Sequence, residues 1–130
     1  MQSIESFDNG ANWINAKDLG FPGQSPYLYN IGDSILLLSQ RNPLTSIRIS
    51  RGKGMQFSNP YVVDYDHGAY GAYPSITHVQ ENNFLISYYV ETVESQRAEI
   101  RFKYLTIGDQ EVEISDVISK IFIEPLRLNK

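Results

Sequence analysis

Tyr61, Tyr65, Tyr70 and Tyr73 crowd around a glycine-rich stretch at residues 68–71. Their flat rings with polar tips suit stacking on sugars, although packing around the loop is the commoner use of such rings. Arg41 ends an apolar run, where a guanidinium either grips a carboxylate through two parallel hydrogen bonds or lies solvated at a strand end. Other groups promise less. His67 and His78 stand 11 residues apart, a spacing that fits no helical or hairpin metal pair, and no cysteine is present to complete a zinc site. Asp64 and Asp66 flank Tyr65 just before His67; this permits a loop calcium site or a carboxylate pair and suits a solvated turn better. Glu91 and Glu94 read as hairpin-rim charges, and Gly52 and Gly54 belong to a turn rather than a phosphate loop. No metal and no cofactor is expected.

These groups need a frame. The chain has 130 residues, 42% of them hydrophobic and 20% charged, the composition of one soluble domain. Apolar runs such as residues 35–38 fall far short of the roughly 20 residues that cross a bilayer. Residues 1–20 lack the basic start and apolar middle of a secretory signal, so neither a membrane nor a visible export signal is expected. Eleven scattered Lys and Arg against 15 Asp and Glu give a net charge of -4, a poor surface for neutralising phosphates. Nucleic acid is therefore not an expected partner. Without cysteine there is no disulfide framework and no thiolate nucleophile, and the compartment stays undetermined.

Nine glycines and six prolines punctuate short runs rich in Ile, Val, Tyr, Phe and Leu, and no stretch keeps helical spacing beyond two turns. The pattern predicts an all-β chain. Ala98, Ile100, Phe102 and Tyr104 alternate with Arg97, Glu99, Arg101 and Lys103, as in a strand with one wet face. Residues 45–50 repeat this with Ile47 and Ile49. Residues 34–39 and 83–90 carry apolar groups on both faces, as central strands covered on two sides would.

The chain also echoes itself. Ser6, Asp8, Gly10 and Trp13 form the pattern Ser-x-Asp-x-Gly-x-x-Trp, and Ser50, Gly54 and Phe57 repeat it 44 residues later without the aspartate. Ser25-Pro26-Tyr27-Leu28 and residues 35–38 are echoed at residues 73–76 and 84–86, offset by 48 or 49. A period in the forties, built of about four strands, is the length of a β-propeller blade.

The first octapeptide resembles the Asp box of sialidases and related propellers, and residues 36–107 are similar in order to the last two blades of that superfamily. The resemblance implies a partial β-propeller of about two four-stranded antiparallel blades from a six-bladed ring. Its segments are a blade remnant at residues 1–20, a blade at 21–65 and a second at 71–124. It further implies that Ser6, Asp8, Gly10 and Trp13 are structural, their side chains closing a tight turn and the aromatic ring plugging the gap between strands. By this resemblance Tyr73 takes the place of the nucleophile that attacks the anomeric carbon and Arg41 that of an arginine holding the substrate carboxylate, while Tyr70 of the tyrosine cluster is expected to bind substrate by stacking. The pre-proline position of Tyr73 favours extended backbone at the start of an inner strand.

The sialidase acid, two further arginines and the glutamate that activates the tyrosine have no counterpart in this sequence. The expected function is that of a sialidase-like glycoside hydrolase fragment or protomer, acting on carbohydrate and incomplete as a catalyst alone. The alternative is a non-catalytic carbohydrate-binding or interaction module on the same frame. Because two blades leave open edges, either further blades precede the chain or several copies assemble, three of them closing a six-bladed ring.

Overall fold

The computed structural model describes residues 1–33, 35–41, 44–52, 55–65, 72–91 and 98–117. Every regular element among them is a strand. Strands β1 (Gln2–Glu5) and β2 (Ile14–Asp18) form a hairpin. Next comes a four-stranded meander of β3 (Gln24–Ile31), β4 (Ile35–Arg41), β5 (Thr45–Arg51) and β6 (Tyr61–Asp64). A second meander follows, of β7 (Ala72–Gln80), β8 (Asn83–Glu91), β9 (Ala98–Ile107) and β10 (Val112–Asp116). All pairings are antiparallel, and neither sheet closes on itself.

The two meanders stack face to face. Leu37, Ile47, Ile49 and Val63 of the first sheet pack with Ile76, Phe84, Ile86 and Leu105 of the second, all buried in one cluster. Tyr29 meets Phe84 edge-on across this layer, with ring centroids 5.8 Å apart. The period-2 alternation of β5 selects which residues face this layer: Ile47 and Ile49 point to the second sheet, while Arg48 points away. On the far side of the first sheet, the Arg48 guanidinium lies 4.1 Å from the centre of the Phe21 ring, and burial lowers its pKa. There Gly23 lies close against the side-chain ends of Gln40 and Met1, which a Cβ would push aside. Strand β4 is therefore covered on both faces, with Leu37 at 0% and Leu38 at 1% exposure, as its doubly apolar run predicts.

Strands β8 and β9 depart from expectation. In β8, Phe84, Ile86, Tyr88 and Val90 are buried, but Leu85, Ser87 and Tyr89 on the other face are only half covered. In β9, hydrophobicity alone would send the charged row to water, and the fold does the reverse. Arg101 and Lys103 lie on the core side of the sheet, Arg101 against the buried Asp64 and Lys103 against the largely exposed Asp116 of the edge strand, while Ile100, Phe102 and Tyr104 are 71%, 46% and 37% exposed. Register explains the inversion. Phe84 pairs with Leu105 and Ile86 with Lys103, so sending the β8 core residues inward commits the odd-numbered row of β9 to the same side.

The internal echo has a structural counterpart. Ser25 and Tyr73, each preceding a proline, both have positive φ, 49° and 31°, and both lie in bulges, between Gln24 and Tyr27 in β3 and between Ala72 and Ser75 in β7. Gln24 pairs with Arg41 and Ala72 with Tyr89, which puts Arg41 and Tyr89 at corresponding ends of β4 and β8. Tyr73 is thus not extended, as its pre-proline position suggested. The bulge overrides the local preference, and it does so in both sheets.

Candidate functional site

Arg41 and Tyr73, 32 positions apart in sequence, meet where the first sheet abuts the second. Arg41 closes β4, Tyr73 opens β7, and Tyr89 lies toward the end of β8 beside it. The Arg41 guanidinium carbon is 5.0 Å from the centre of the Tyr73 ring, within cation–π range. The Tyr73 ring stacks on Tyr89 with centroids 5.9 Å apart and planes 11° from parallel. Tyr73 is 62% exposed, so the pair lies at the protein surface. The bulge aims Tyr73: an extended residue would follow the pleat of β7, whereas positive φ turns its side chain toward Tyr89 and Arg41. The same positive φ at Ser25 shows that this strain belongs to the repeated frame rather than to the corner alone.

Chemically, the corner offers one fixed positive charge beside a flat, partly apolar platform. That combination suits a ring-shaped ligand bearing a carboxylate, the charge met by the guanidinium and the ring face by a tyrosine. Among the described residues, no carboxylate is hydrogen-bonded to the Tyr73 hydroxyl.

The remaining sequence candidates scatter. Tyr70, His67, Asp66 and Glu94 lie outside the described residues. Tyr61 packs against the core and Tyr65 is 77% exposed, so those two do not join the corner. The His78 ring lies against Phe84, with its Nε2 2.8 Å from the Glu81 carbonyl oxygen. No group of three or more His, Asp or Glu among the described residues is placed to hold a metal ion.

Asp64 is not in the solvated turn its neighbours suggested. It ends β6 at 9% exposure and accepts hydrogen bonds from the Tyr88 hydroxyl at 2.7 Å and from Arg101 Nη1 at 3.0 Å. No local spacing signals this triad, because its members sit on β6, β8 and β9. Nearby, a groove of about 750 Å³ runs beside β9, but its charged lining is engaged within the protein: Arg101 with Asp64 and Glu99, Lys103 with Asp116.

The Asp8 octapeptide forms the turn of the first hairpin. Its carboxylate accepts from the Asn12 backbone amide at 2.8 Å, the Asn12 side chain at 2.6 Å and the Ser6 hydroxyl at 2.9 Å. The Gly10 amide in turn donates to Ser6 Oγ at 2.8 Å, with Gly10 at φ 88°. The carboxylate is engaged by its own turn, and the Asn12 amide first, then the Asn12 and Ser6 side chains, lower its pKa below the ordinary aspartate range. The second octapeptide sits at the matching place, between β5 and β6, with an isolated bridge from Ser50 to Phe57. There Ser50 Oγ is buried and has no hydrogen-bond partner among the described residues, in keeping with the lost aspartate.

The two aromatic rings differ in setting: Phe57 packs edge-on against Phe21 at 5.9 Å, whereas Trp13 is 59% exposed and lies near Gly10. Trp13 therefore does not plug a gap between strands within this chain. Because the depressed Asp8 pKa stabilises the folded hairpin above the ordinary aspartate value, that contribution should vanish as the pH falls through the lower folded value. The protection of the Gly10 and Asn12 amides, corrected for the intrinsic pH dependence of exchange, should fall below about pH 4, and Asp8→Ala should abolish that change. Protection that stays constant across that range would contradict the assignment.

In comparisons with known proteins, no family model matches the chain, nor does any curated protein or solved structure.

Proposed function

We propose that the chain is an arc of a sialidase-like β-propeller, two blades and part of a third, whose Arg41, Tyr73 and Tyr89 corner binds an acidic sugar. Two successive four-stranded meanders, contacts of β7 with β3 and β4, and an octapeptide turn before the last strand of both the hairpin and the first sheet support the arc. The observation that carries the functional reading is the Arg41 guanidinium held over a Tyr73 ring that is itself stacked on Tyr89. A cation beside a solvent-exposed tyrosine is what a carboxylated ring needs.

Turnover by this chain alone is not expected. A phenol nucleophile needs a base, and the groups that supply acid and base in sialidases have no counterpart in the sequence. The corner is therefore a binding site, in a hydrolase completed by other blades or in a non-catalytic carbohydrate-binding module.

Saturation-transfer NMR and calorimetry with N-acetylneuraminic acid, with galactose as the uncharged control, test this. The acidic sugar should bind and galactose should not. Arg41→Ala should weaken binding by about 10- to 100-fold, the worth of a charge-assisted hydrogen bond. Tyr73→Phe should keep most of the affinity, and neither protein should hydrolyse a fluorogenic sialoside. Equal affinity for both sugars, or an Arg41→Ala protein that binds like the parent, would refute the acidic-sugar reading.

A further inference from the structure

We propose that Asn9 is the site at which this chain ages by forming isoaspartate, and that the Ser6 hydroxyl of the octapeptide turn holds that reaction in check. Asn9-Gly10 is the only Asn-Gly pair in the sequence. Asparagine is a thermolabile residue, and a following glycine exposes it most, because no Cβ shields the glycine nitrogen from the side chain it attacks. The Gly10 nitrogen gives up its proton and bonds to Asn9 Cγ, the side-chain nitrogen of Asn9 leaves as ammonia, and a cyclic succinimide remains. Water then opens the ring at either carbonyl. Opening at Cγ gives an ordinary aspartate, whereas opening at the main-chain carbonyl reroutes the backbone through Cβ and Cγ as isoaspartate. Water is the only co-reactant.

The side chain is available for this step. Asn9 is exposed, and its amide makes no side-chain hydrogen bond among the described residues. The nitrogen is not available. Gly10 N–H donates to Ser6 Oγ at 2.8 Å, and the Ser6 hydroxyl donates in turn to Asp8 Oδ1 at 2.9 Å, which leaves its lone pairs to face Gly10. Asp8 is itself held by the Asn12 amide at 2.8 Å. Asn9 and Gly10 stand at φ 57° and 88°, as in a type I′ turn, closed by the Ala11 amide on the Asp8 carbonyl at 3.3 Å. To reach Asn9 Cγ, the Gly10 nitrogen must leave Ser6 and rotate out of this turn. The reaction therefore runs from an opened hairpin end, and the bonds to Ser6 and Asp8 set how often that end opens.

The product matters to the hairpin. Isoaspartate lengthens the main chain inside a turn with no slack and puts a second carboxylate next to that of Asp8. The strands behind it offer little reserve: β1 and β2 form a sheet of their own, paired at Gln2 with Asp18, Ser3 with Lys17 and Glu5 with Ile14, and a lone two-stranded hairpin is marginal in water. Conversion at Asn9 is thus a one-way loosening of the first element of the fold. None of this depends on what the Arg41 corner binds.

The test is incubation of the full chain at neutral pH and body temperature. Peptide mapping by mass spectrometry places each converted asparagine, and enzymatic carboxyl methylation with labelled S-adenosylmethionine counts isoaspartate. Asn9 should convert before any other asparagine, mainly to isoaspartate, and about 10-fold more slowly in the folded chain than in the same chain in concentrated urea. Ser6→Ala should raise the folded rate about 3- to 10-fold, the worth of one hydrogen bond. Ser6→Thr, which keeps a hydroxyl, should stay near the parent rate, and in urea all three proteins should convert alike. Asn82, exposed in the turn between β7 and β8, is the internal reference: acceleration confined to Asn9 supports the clamp, and acceleration shared equally by Asn82 overturns it. So does a folded parent that converts as fast as the chain in urea, a Ser6→Ala protein that converts at the parent rate, or another asparagine that converts first.

Discussion

Ile47→Ala should lower the stability of the chain by about 3–4 kcal/mol, a large share of what a domain of this size possesses. Ile47 is 0% exposed, on a central strand of the first sheet, with its side chain in the layer between the two sheets. Truncation removes buried methyl groups and leaves a cavity in a layer whose backbone is pinned by ladders on both sides, so it cannot readily collapse. Urea unfolding should show a lower midpoint at an unchanged m-value. The informative comparison is Phe102→Ala. Phe102 occupies the corresponding position of the second sheet and is a larger residue, yet at 46% exposure its truncation should cost the isolated chain under about 1 kcal/mol. If the two substitutions were equally destabilising, the second sheet would have to be covered within the chain.

The contrast between those positions also shows which parts of the fold local pattern could specify. Strand identity was legible because period-2 alternation and glycine or proline punctuation are local. Residues 45–50 and 98–104 are strands for the reason their patterns suggest. Which row faces the core was not legible for β9, because register with β8 decides it, and register depends on contacts distant in sequence. The doubly apolar run of β4 led correctly to two-sided burial, but the similar run of β8 reads the same in sequence whether or not a neighbour is present to cover it. The corner was half legible. Arg41 and Tyr73 could be named, but their contact rests on a bulge that reverses the φ expected before proline, and Tyr89 emerged only once β8 was paired with β7. Asp64 was misjudged because its neighbours in sequence suggest a polar turn, whereas its partners Tyr88 and Arg101 arrive from another sheet.

That triad carries the second large expected effect. Asp64→Ala should cost about 2–3 kcal/mol near neutral pH, less than a fully buried ion pair because Arg101 remains 28% exposed and keeps part of its hydration. The loss comes from what stays behind: a Tyr88 hydroxyl at 3% exposure without its acceptor, and a guanidinium turned inward without its nearest carboxylate. Asp64→Asn keeps an oxygen for Tyr88 and should cost roughly half as much.

An independent readout comes from alkaline pH. Burial first, then the hydrogen bond to Asp64 and its negative charge, raise the Tyr88 pKa well above the ordinary tyrosine value. A group whose folded pKa is raised contributes stability that is complete below the unfolded value, near 10 for tyrosine, and is lost as the pH climbs toward the folded one. The parent should therefore lose unfolding free energy above about pH 10 with a slope that Tyr88→Phe makes shallower, since the phenylalanine has no proton to surrender. Unfolding midpoints in urea from pH 8 to 11.5, with phenolate absorbance followed in parallel, give both quantities. A Tyr88→Phe protein with the same alkaline slope as the parent, or an Asp64→Ala protein of unchanged midpoint, would show that the two sheets are not tied together at this point.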